Sequence, residues 1–510
     1  MQEIAAHKIL QPLITAQDVK VIKEGQTIFE NLNFNWVPGE NWAIVGSSNA
    51  LNSQFLQVMM GRLPVSQGRI HAYFATDYLA MNADDGKFHS YRDLIAYVSP
   101  QHHFKSKNNT QDFYYQQRFN SSDVGEALTV LEYLKATVIT RDRSYWNVER
   151  VLDLFQLEKL IDKSIITLSN GESRRLMLAA ALLRNPSLLL MDNPMVGLDR
   201  ETRAQFGKIL AIIAQSGISI MMATSPQEIP DIMNRVGILH EKTFYEQVNR
   251  STFNANNFTF LMEQPAGTDL DQTVFAGLGL NNKVSSFRYI IQMRDVTIKY
   301  GEKVILNKVS WEVKSGECWA LRGQNGAGKS TLLSLINGDN PQAYSNDISL
   351  FDRKRGSGES IWQIKKNIGF VSPELHQFFP KTQSCLQVVL SGLFDTSGLF
   401  RTVTEHQKVL ALQWMKAFGI DHLAGKRLSQ VPLNMQRLCL LARALIKNPA
   451  LLILDEPCQG LDHQQRDFFK AMVSTICRTS HNTLVYVSHY LEEIPDVVDH
   501  FITLEKGIRI

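Results

Sequence analysis

The chain has 510 residues, 44% of them hydrophobic and 20% charged, with 53 Lys and Arg against 50 Asp and Glu and a formal net charge of +3. This average composition excludes a disordered, collagen-like or disulfide-scaffold protein, and the near balance of charge gives no strong nucleic-acid signal. At roughly 150 residues per domain, the length implies three or four compact lobes, each able to bury a core.

The first residues, Met1-Gln2-Glu3-Ile4, lack the basic region and apolar run of a secretory leader, so a cytoplasmic protein is expected. The apolar run Trp42 to Val45 reads as a buried parallel strand, and it ends in Gly46-Ser47-Ser48-Asn49-Ala50-Leu51-Asn52-Ser53. Next comes Ala96-Tyr97-Val98-Ser99-Pro100-Gln101, followed by His102-His103 and by Phe113-Tyr114-Tyr115 with Phe119. The histidines read as a solvated loop and the aromatics as core of an inserted lobe. Helical patterning over Gly125 to Ala136 and Val148 to Leu157 gives that lobe. Leu168-Ser169-Asn170-Gly171-Glu172 is a Ser/Gly turn opening a helix. A second buried strand, Leu188 to Met191, ends in Asp192-Asn193-Pro194, and a third covers Ile218 to Met222, shortly before Ser225. The longest apolar stretch, Ile209 to Thr224, is broken by Gln215, Ser216 and Gly217 and falls short of the ~20 residues a membrane span needs.

Asn-rich, Gly and Ser clusters between Val248 and Phe287 read as a linker, after which the pattern starts again. Asn41-Trp42-Ala43-Ile44-Val45-Gly46 returns as Cys318-Trp319-Ala320-Leu321-Arg322-Gly323. The Tyr97 segment returns as Gly369-Phe370-Val371-Ser372-Pro373-Glu374, and the Asp192 strand as Leu451-Leu452-Ile453-Leu454-Asp455-Glu456-Pro457, always in the same order. The chain is two copies of one unit: residues 1–247, a linker 248–287, and residues 288–510. Five cysteines (Cys318, Cys385, Cys439, Cys458, Cys477) form no C-x-x-C pair and read as reduced thiols.

In the second copy, Gly323-Gln324-Asn325-Gly326-Ala327-Gly328-Lys329-Ser330, with Thr331 following, satisfies G-x-x-x-x-G-K-[ST] between a predicted strand and helix. Glycines let backbone N–H groups wrap a phosphate, Lys329 would reach the β- and γ-phosphates, and Ser330 would hold Mg²⁺. Downstream, Asp455 suits the Mg²⁺ shell and Glu456 would orient an attacking water.

These motifs, with the Leu168 to Glu172 signature, Gly197-Leu198-Asp199, Gly460-Leu461-Asp462 and Val487-Ser488-His489, resemble the ATP-binding-cassette (ABC) ATPases, in that family's order, over both halves. The resemblance implies an α/β fold of tandem P-loop domains. Each would have a RecA-like parallel-sheet core, an inserted helical subdomain and an antiparallel β edge. It also implies ATP and Mg²⁺ as ligands, ATP hydrolysis, and a head-to-tail pairing of the halves in which one half's signature completes the other's phosphate site. One site then combines Gly323, Asn325, Gly326, Gly328, Lys329, Ser330, Thr331, Asp455, Glu456 and His489 with Ser169, Gly171 and Glu172. Tyr300 stands where this family stacks an aromatic on adenine.

The other site combines the first half's loop with Val431-Pro432-Leu433-Asn434-Met435 and has lost its chemistry. Leu51 stands where the last glycine would be, Asn52 replaces lysine, Asn193 stands for Glu456, Ser225 for His489 and Lys23 for Tyr300. The family's glutamine is Gln101 in the first half but Glu374 in the second, where a carboxylate would lie near Mg²⁺.

The segments Asn337 to Asp347, Arg355 to Trp362 and Ser391 to Asp395 resemble more narrowly the tandem cassette group called ModF, named for molybdenum transport. That implies an ATPase component linked to molybdate or anion transport, working with a separate integral-membrane permease and placed at the inner face of the cell membrane. The alternative is a soluble, translation-associated or regulatory cassette ATPase. The charged helical arm usual in the translation-associated group has no counterpart in Glu246 to Arg288, which holds seven charged residues.

Overall fold

The computed structural model describes residues 11–23, 25–46, 49–84, 86–99, 127–139, 144–168, 170–195, 200–258, 278, 287–324, 326–461 and 463–510. The described residues form two compact units, one within 11–258 and one within 278–510.

The first unit opens with strands β1 (Ile14–Lys23) and β2 (Gln26–Trp36), then β3 (Trp42–Gly46), α1 (Asn49–Met59), β4 (Val65–Ala72), α2 (Thr76–Met81) and β5 (Ile95–Val98). Helices α3 (Val130–Thr137), α4 (Val148–Phe155) and α5 (Asn170–Leu182) precede β6 (Leu188–Asp192), α6 (Arg200–Gln215), β7 (Ser219–Ala223), β8 (Arg235–His240) and β9 (Thr243–Asn249). The main sheet has the order β5-β6-β7-β3-β8-β9. It is parallel except for the edge strand β9, while β2-β1-β4 form a separate antiparallel sheet. The runs that read as buried strands are β3, β6 and β7. β6 is buried at every residue, as a parallel strand covered on both faces must be. β9 extends to Asn249, inside the segment read as linker.

The second unit repeats this plan. It contains β10 (Tyr289–Tyr300), β11 (Lys303–Lys314), β12 (Cys318–Arg322), α7 (Lys329–Ile336), β13 (Asp347–Leu350), β14 (Arg353–Lys354), α8 (Ile361–Lys366) and β15 (Ile368–Val371). Helices α9 (Pro373–Phe378), α10 (Cys385–Ser391), α11 (Glu405–Ala417) and α12 (Leu433–Leu445) follow, then β16 (Leu451–Asp455), α13 (His463–Ser480), β17 (Thr483–Val487), β18 (His500–Glu505) and β19 (Ile508–Arg509). The main sheet, β15-β16-β17-β12-β18-β19, has the same order and the same antiparallel edge. One apolar cluster, including Trp311, Leu333 and Ile453, fills the space between this sheet and the antiparallel β10–β11–β13 layer. Another, including Trp414, Leu441 and Phe469, joins the inserted helices to the opposite face.

The duplication reaches details of backbone and side chain. Asp18 and Asp295 both have φ of 48°, and Asn193 and Glu456, at the ends of β6 and β16, have φ of 46° and 42°. The indole N–H of Trp42 donates to Glu40 at 3.0 Å, and that of Trp319 to Glu317 at 2.8 Å. The five cysteines are free thiols and buried. Among the described residues no helix is long and apolar enough to cross a membrane.

Candidate functional site

In a doubly wound parallel sheet, the carboxyl ends of the strands and the turns that follow them form the ligand edge. In the second unit that edge collects the turns after β12, β15, β16 and β17, and these carry the residues that the sequence marked.

After β12 the chain runs through Gly323, Gly326 and Gly328, whose φ values are 150°, 81° and 101°, before α7 starts at Lys329. These are conformations that side chains other than glycine rarely adopt. Gly328 is further constrained by contact, because a Cβ there would lie 2.8 Å from Leu306 Cδ2 and 3.0 Å from the Ile305 carbonyl oxygen. The result is an open cradle of backbone leading into a helix amino terminus, the arrangement that binds phosphate. Lys329 is 8% exposed, and its Nζ donates to the carbonyls of Gly323 at 2.8 Å and Gln324 at 3.1 Å, so its charge is held inside the cradle.

At the end of β16, Glu456 Oε1 pairs with His489 Nε2 at 2.8 Å, and the same nitrogen lies 3.4 Å from Lys329 Nζ. Burial alone would raise the Glu456 carboxyl. The His489 hydrogen bond and the charges of His489, Lys329 and Arg437 outweigh it and hold the carboxyl below its ordinary value. Asp455 goes the other way, pushed well up by burial and then by the neighbouring charges of Glu374 and Glu456. Two adjacent carboxyls are thus driven apart in basicity, with Glu456 the more readily ionised.

The donors fit a divalent cation. Among the described residues Asp455 receives no hydrogen bond while facing two further carboxylates, and the Ser330 hydroxyl is exposed and unbonded beside the cradle. No group of three or more His, Cys, Asp or Glu is placed to hold a metal by itself among those residues. Ser330 and Asp455 are the oxygens that would hold a Mg²⁺ here. Glu374, in the first turn of α9, is 8% exposed and acts on Asp455 through charge. Tyr300, at the end of β10, is 42% exposed, and its hydroxyl accepts from buried Asn340 at 3.0 Å, which fixes a ring still open to solvent. Thr331 lies in the first turn of α7.

Four residues that sequence reasoning missed belong to this edge. Arg437, 3% exposed on α12, donates from Nη2 to the Gln459 carbonyl at 3.2 Å, while its Nε and Nη1 have no partner among the described residues. Gln459 in turn donates to Glu456 Oε2 at 3.2 Å. His376, on α9, is 2% exposed and its Nε2 lies 2.7 Å from Gln436 Oε1 on α12. Gln436 also donates to the Val431 carbonyl at 2.8 Å, so a side-chain bridge ties the altered signature turn to the helix carrying Glu374. The turn itself has Pro432 at the cap of α12, without a capping side-chain bond.

The first unit repeats the strand order, and its described residues do not repeat the Glu456–His489–Lys329 cluster. Gly171 and Glu172 occupy the first turn of α5, where Glu172 pairs with Lys163 at 2.7 Å. Asp192 is 2% exposed at the end of β6. Ser169, Asn325, Gln101, His102, His103, Phe113, Tyr114, Tyr115, Phe119, the Gly197-Leu198-Asp199 segment and Asp462 lie outside the described residues.

The sequence pattern described as ABC transporter matches residues 29–196 and again 306–459, spanning both phosphate-loop regions. The chain belongs to the ABC transporter family. It is 34% identical over 502 residues to the ABC transporter ATP-binding protein ModF of Escherichia coli (strain K12), covering 97% of this chain and 95% of that protein. It is also 29% identical over 490 residues to an uncharacterized ABC transporter ATP-binding protein of Schizosaccharomyces pombe, covering 94% and 95%. Among solved structures, one of ribosome-bound archaeal Pelota and ABCE1 shares the fold with a TM-score of 0.58 and 16% identity, covering 97% of this chain and 78% of that one. This ABC protein is therefore a tandem ATP-binding cassette whose two halves share one fold.

Proposed function

We propose that the protein hydrolyses ATP at the second unit's strand edge and uses the cycle of binding and hydrolysis to move its two halves. The observation that carries this reading is the Glu456–His489–Lys329 cluster, a buried carboxylate kept ionised beside the cradle lysine. Gly323, Gly326, Gly328 and Lys329 would bind the phosphates, and Tyr300 would pack against the base. Ser330 and Asp455 would hold Mg²⁺, which when bound supplies charge neutralisation of the phosphates. Glu456 would accept a hydrogen bond from the attacking water, while His489 fixes the Glu456 carboxylate through the 2.8 Å pair. Glu456→Gln should leave ATP binding intact and reduce phosphate release by about 10²-fold or more. Parental turnover in that variant would remove Glu456 from the mechanism.

The same proposal pairs this site with the first unit's Ser169, Gly171 and Glu172, because the lost residues fall almost wholly on the opposite pairing. Gly171→Asp should then lower phosphate release without changing the isolated affinity of the cradle. Unchanged turnover would overturn the pairing and leave the role of Glu456 standing.

For the biological role, similarity to the ModF group supports an ATPase component linked to molybdate or anion transport, at the cytoplasmic face of a membrane and beside a separate permease. Recovery of an integral-membrane partner from detergent extracts supports this role. Cosedimentation with ribosomes instead would favour the translation-associated alternative.

A further inference from the structure

The second unit's edge is an open cradle beside an unbonded carboxylate, and the register-equivalent edge of the first unit is neither. α1 begins at Asn49, which aligns with Gly326, so Ala50, Leu51 and Asn52 lie inside a helix where the second unit has Ala327, Gly328 and Lys329. Residues 49–52 show no positive φ. Leu51 is 7% exposed and packed in the apolar cluster of that unit, and Asn52 is 1% exposed. The Asn52 side chain fills the interior, with its Oδ1 2.5 Å from where a Cβ on Gly46 would stand.

The carboxylate differs as much. Asp192 accepts from the Tyr97 hydroxyl at 3.0 Å on Oδ2, from Asn193 Nδ2 at 2.9 Å on Oδ1, and from the Ser53 side chain. Asp455, its counterpart, has none of these. Its strand neighbour is Phe370, which pairs with Ile453 in the register that Tyr97 takes with Leu190. Its next residue is Glu456, and its serine, Ser330, is exposed.

We infer that the first unit's degenerate phosphate edge is a closed polar plug that takes neither Mg²⁺ nor nucleotide, with the Tyr97 hydroxyl, Asn193 and Ser53 satisfying Asp192 in place of a cation. The residues do not fit the family's ligand. A cation would have to displace three hydrogen bonds from a buried carboxylate, and a phosphate would meet the buried, neutral Asn52 side chain beside Gly46 where the second unit offers a lysine. The inference goes beyond the proposed ATP site and uses the second unit as its internal comparison.

The test is equilibrium dialysis of the full chain carrying Glu456→Gln, with ATP and Mn²⁺ as probes and electron paramagnetic resonance counting bound Mn²⁺. One nucleotide and one Mn²⁺ per chain are expected, falling to none when Lys329→Ala is added. Two per chain, or one retained after Lys329→Ala, overturns the inference. No binding at all would leave the plug standing and instead overturn the proposed ATP site. Transplanting the plug gives an independent arm. Phe370→Tyr should weaken Mn²⁺–nucleotide binding at the second unit by about tenfold or more, a change of about 1.4 kcal/mol. Phe370→Leu controls for packing and should bind more tightly than Phe370→Tyr. Equal binding by the two variants, with both folded by circular dichroism, would remove the tyrosine hydroxyl as the blocking element.

Discussion

Gly328 shows how little freedom single residues have at this site. Its φ of 101° and the 2.8 Å approach of Leu306 mean that Gly328→Ala must either twist the cradle or move β11. A left-handed residue with a Cβ costs roughly 1–2 kcal/mol before any clash. The expected outcome is a lower melting temperature together with loss of ATP binding, read by calorimetry and by dialysis on the same preparation. His376 is constrained through charge. Burial and then the positive charge of Arg437 bring its folded value down to about 3 from an ordinary 6.5. Below pH 6.5 the unfolded chain takes a proton that the native imidazole refuses, so stability falls as the pH drops from 6.5 toward 3. At about 1.4 kcal/mol per pH unit, this residue alone should remove roughly 2 kcal/mol between pH 6.5 and 5. His376→Gln, which keeps a partner for Gln436, should flatten that slope in urea titrations at the two pH values.

At the scale of elements, the consequential difference between the copies is where a helix starts. α7 starts at Lys329 behind three left-handed glycines, whereas α1 has absorbed the positions equivalent to Gly326 and Gly328. Restoring the missing letters with Leu51→Gly and Asn52→Lys should therefore not restore a site. It places glycine in the first turn of α1, at up to about 1 kcal/mol, and removes a buried leucine side chain, at about 2–5 kcal/mol. The double variant should melt several degrees lower and bind no additional nucleotide in dialysis. The substitutions themselves were legible in the sequence, because aligning the repeats puts Leu51 and Asn52 against Gly328 and Lys329. Their structural meaning was not, since motif spacing says which residues are lost and not what the backbone does instead. The strands β3, β6 and β7 were legible for a simple reason. They are buried on both faces and so are written as unbroken apolar runs. Tyr97 was in plain sight opposite Phe370, a one-hydroxyl difference between the copies, but its role depends on the 3.0 Å reach to Asp192 that only the folded sheet provides. Arg437 and His376 sit on helix faces that a sequence shows as ordinary amphipathic patterning, and burial makes them notable.

Across the described residues, each unit has its own apolar core, and the open glycine cradle belongs to the second. Ligand stabilisation acts on the state that binds, by RT ln(1 + [L]/Kd), which is about 2.7 kcal/mol at a hundredfold excess over Kd. In the Glu456→Gln chain, where turnover does not consume the ligand, calorimetry with Mg²⁺ and ATP should resolve an unfolding transition that moves upward with ATP concentration. Lys329→Ala should abolish that shift. Variants that weaken the first unit's core, such as Phe55→Ala in α1, should lower a second transition that ATP does not move directly. If ATP instead raises the transition that Phe55→Ala lowers while Lys329→Ala leaves that rise intact, the first unit binds nucleotide on its own. If the rise disappears with Lys329→Ala, the first unit is being stabilised through the second, the coupling that a signature turn working across the two halves would produce.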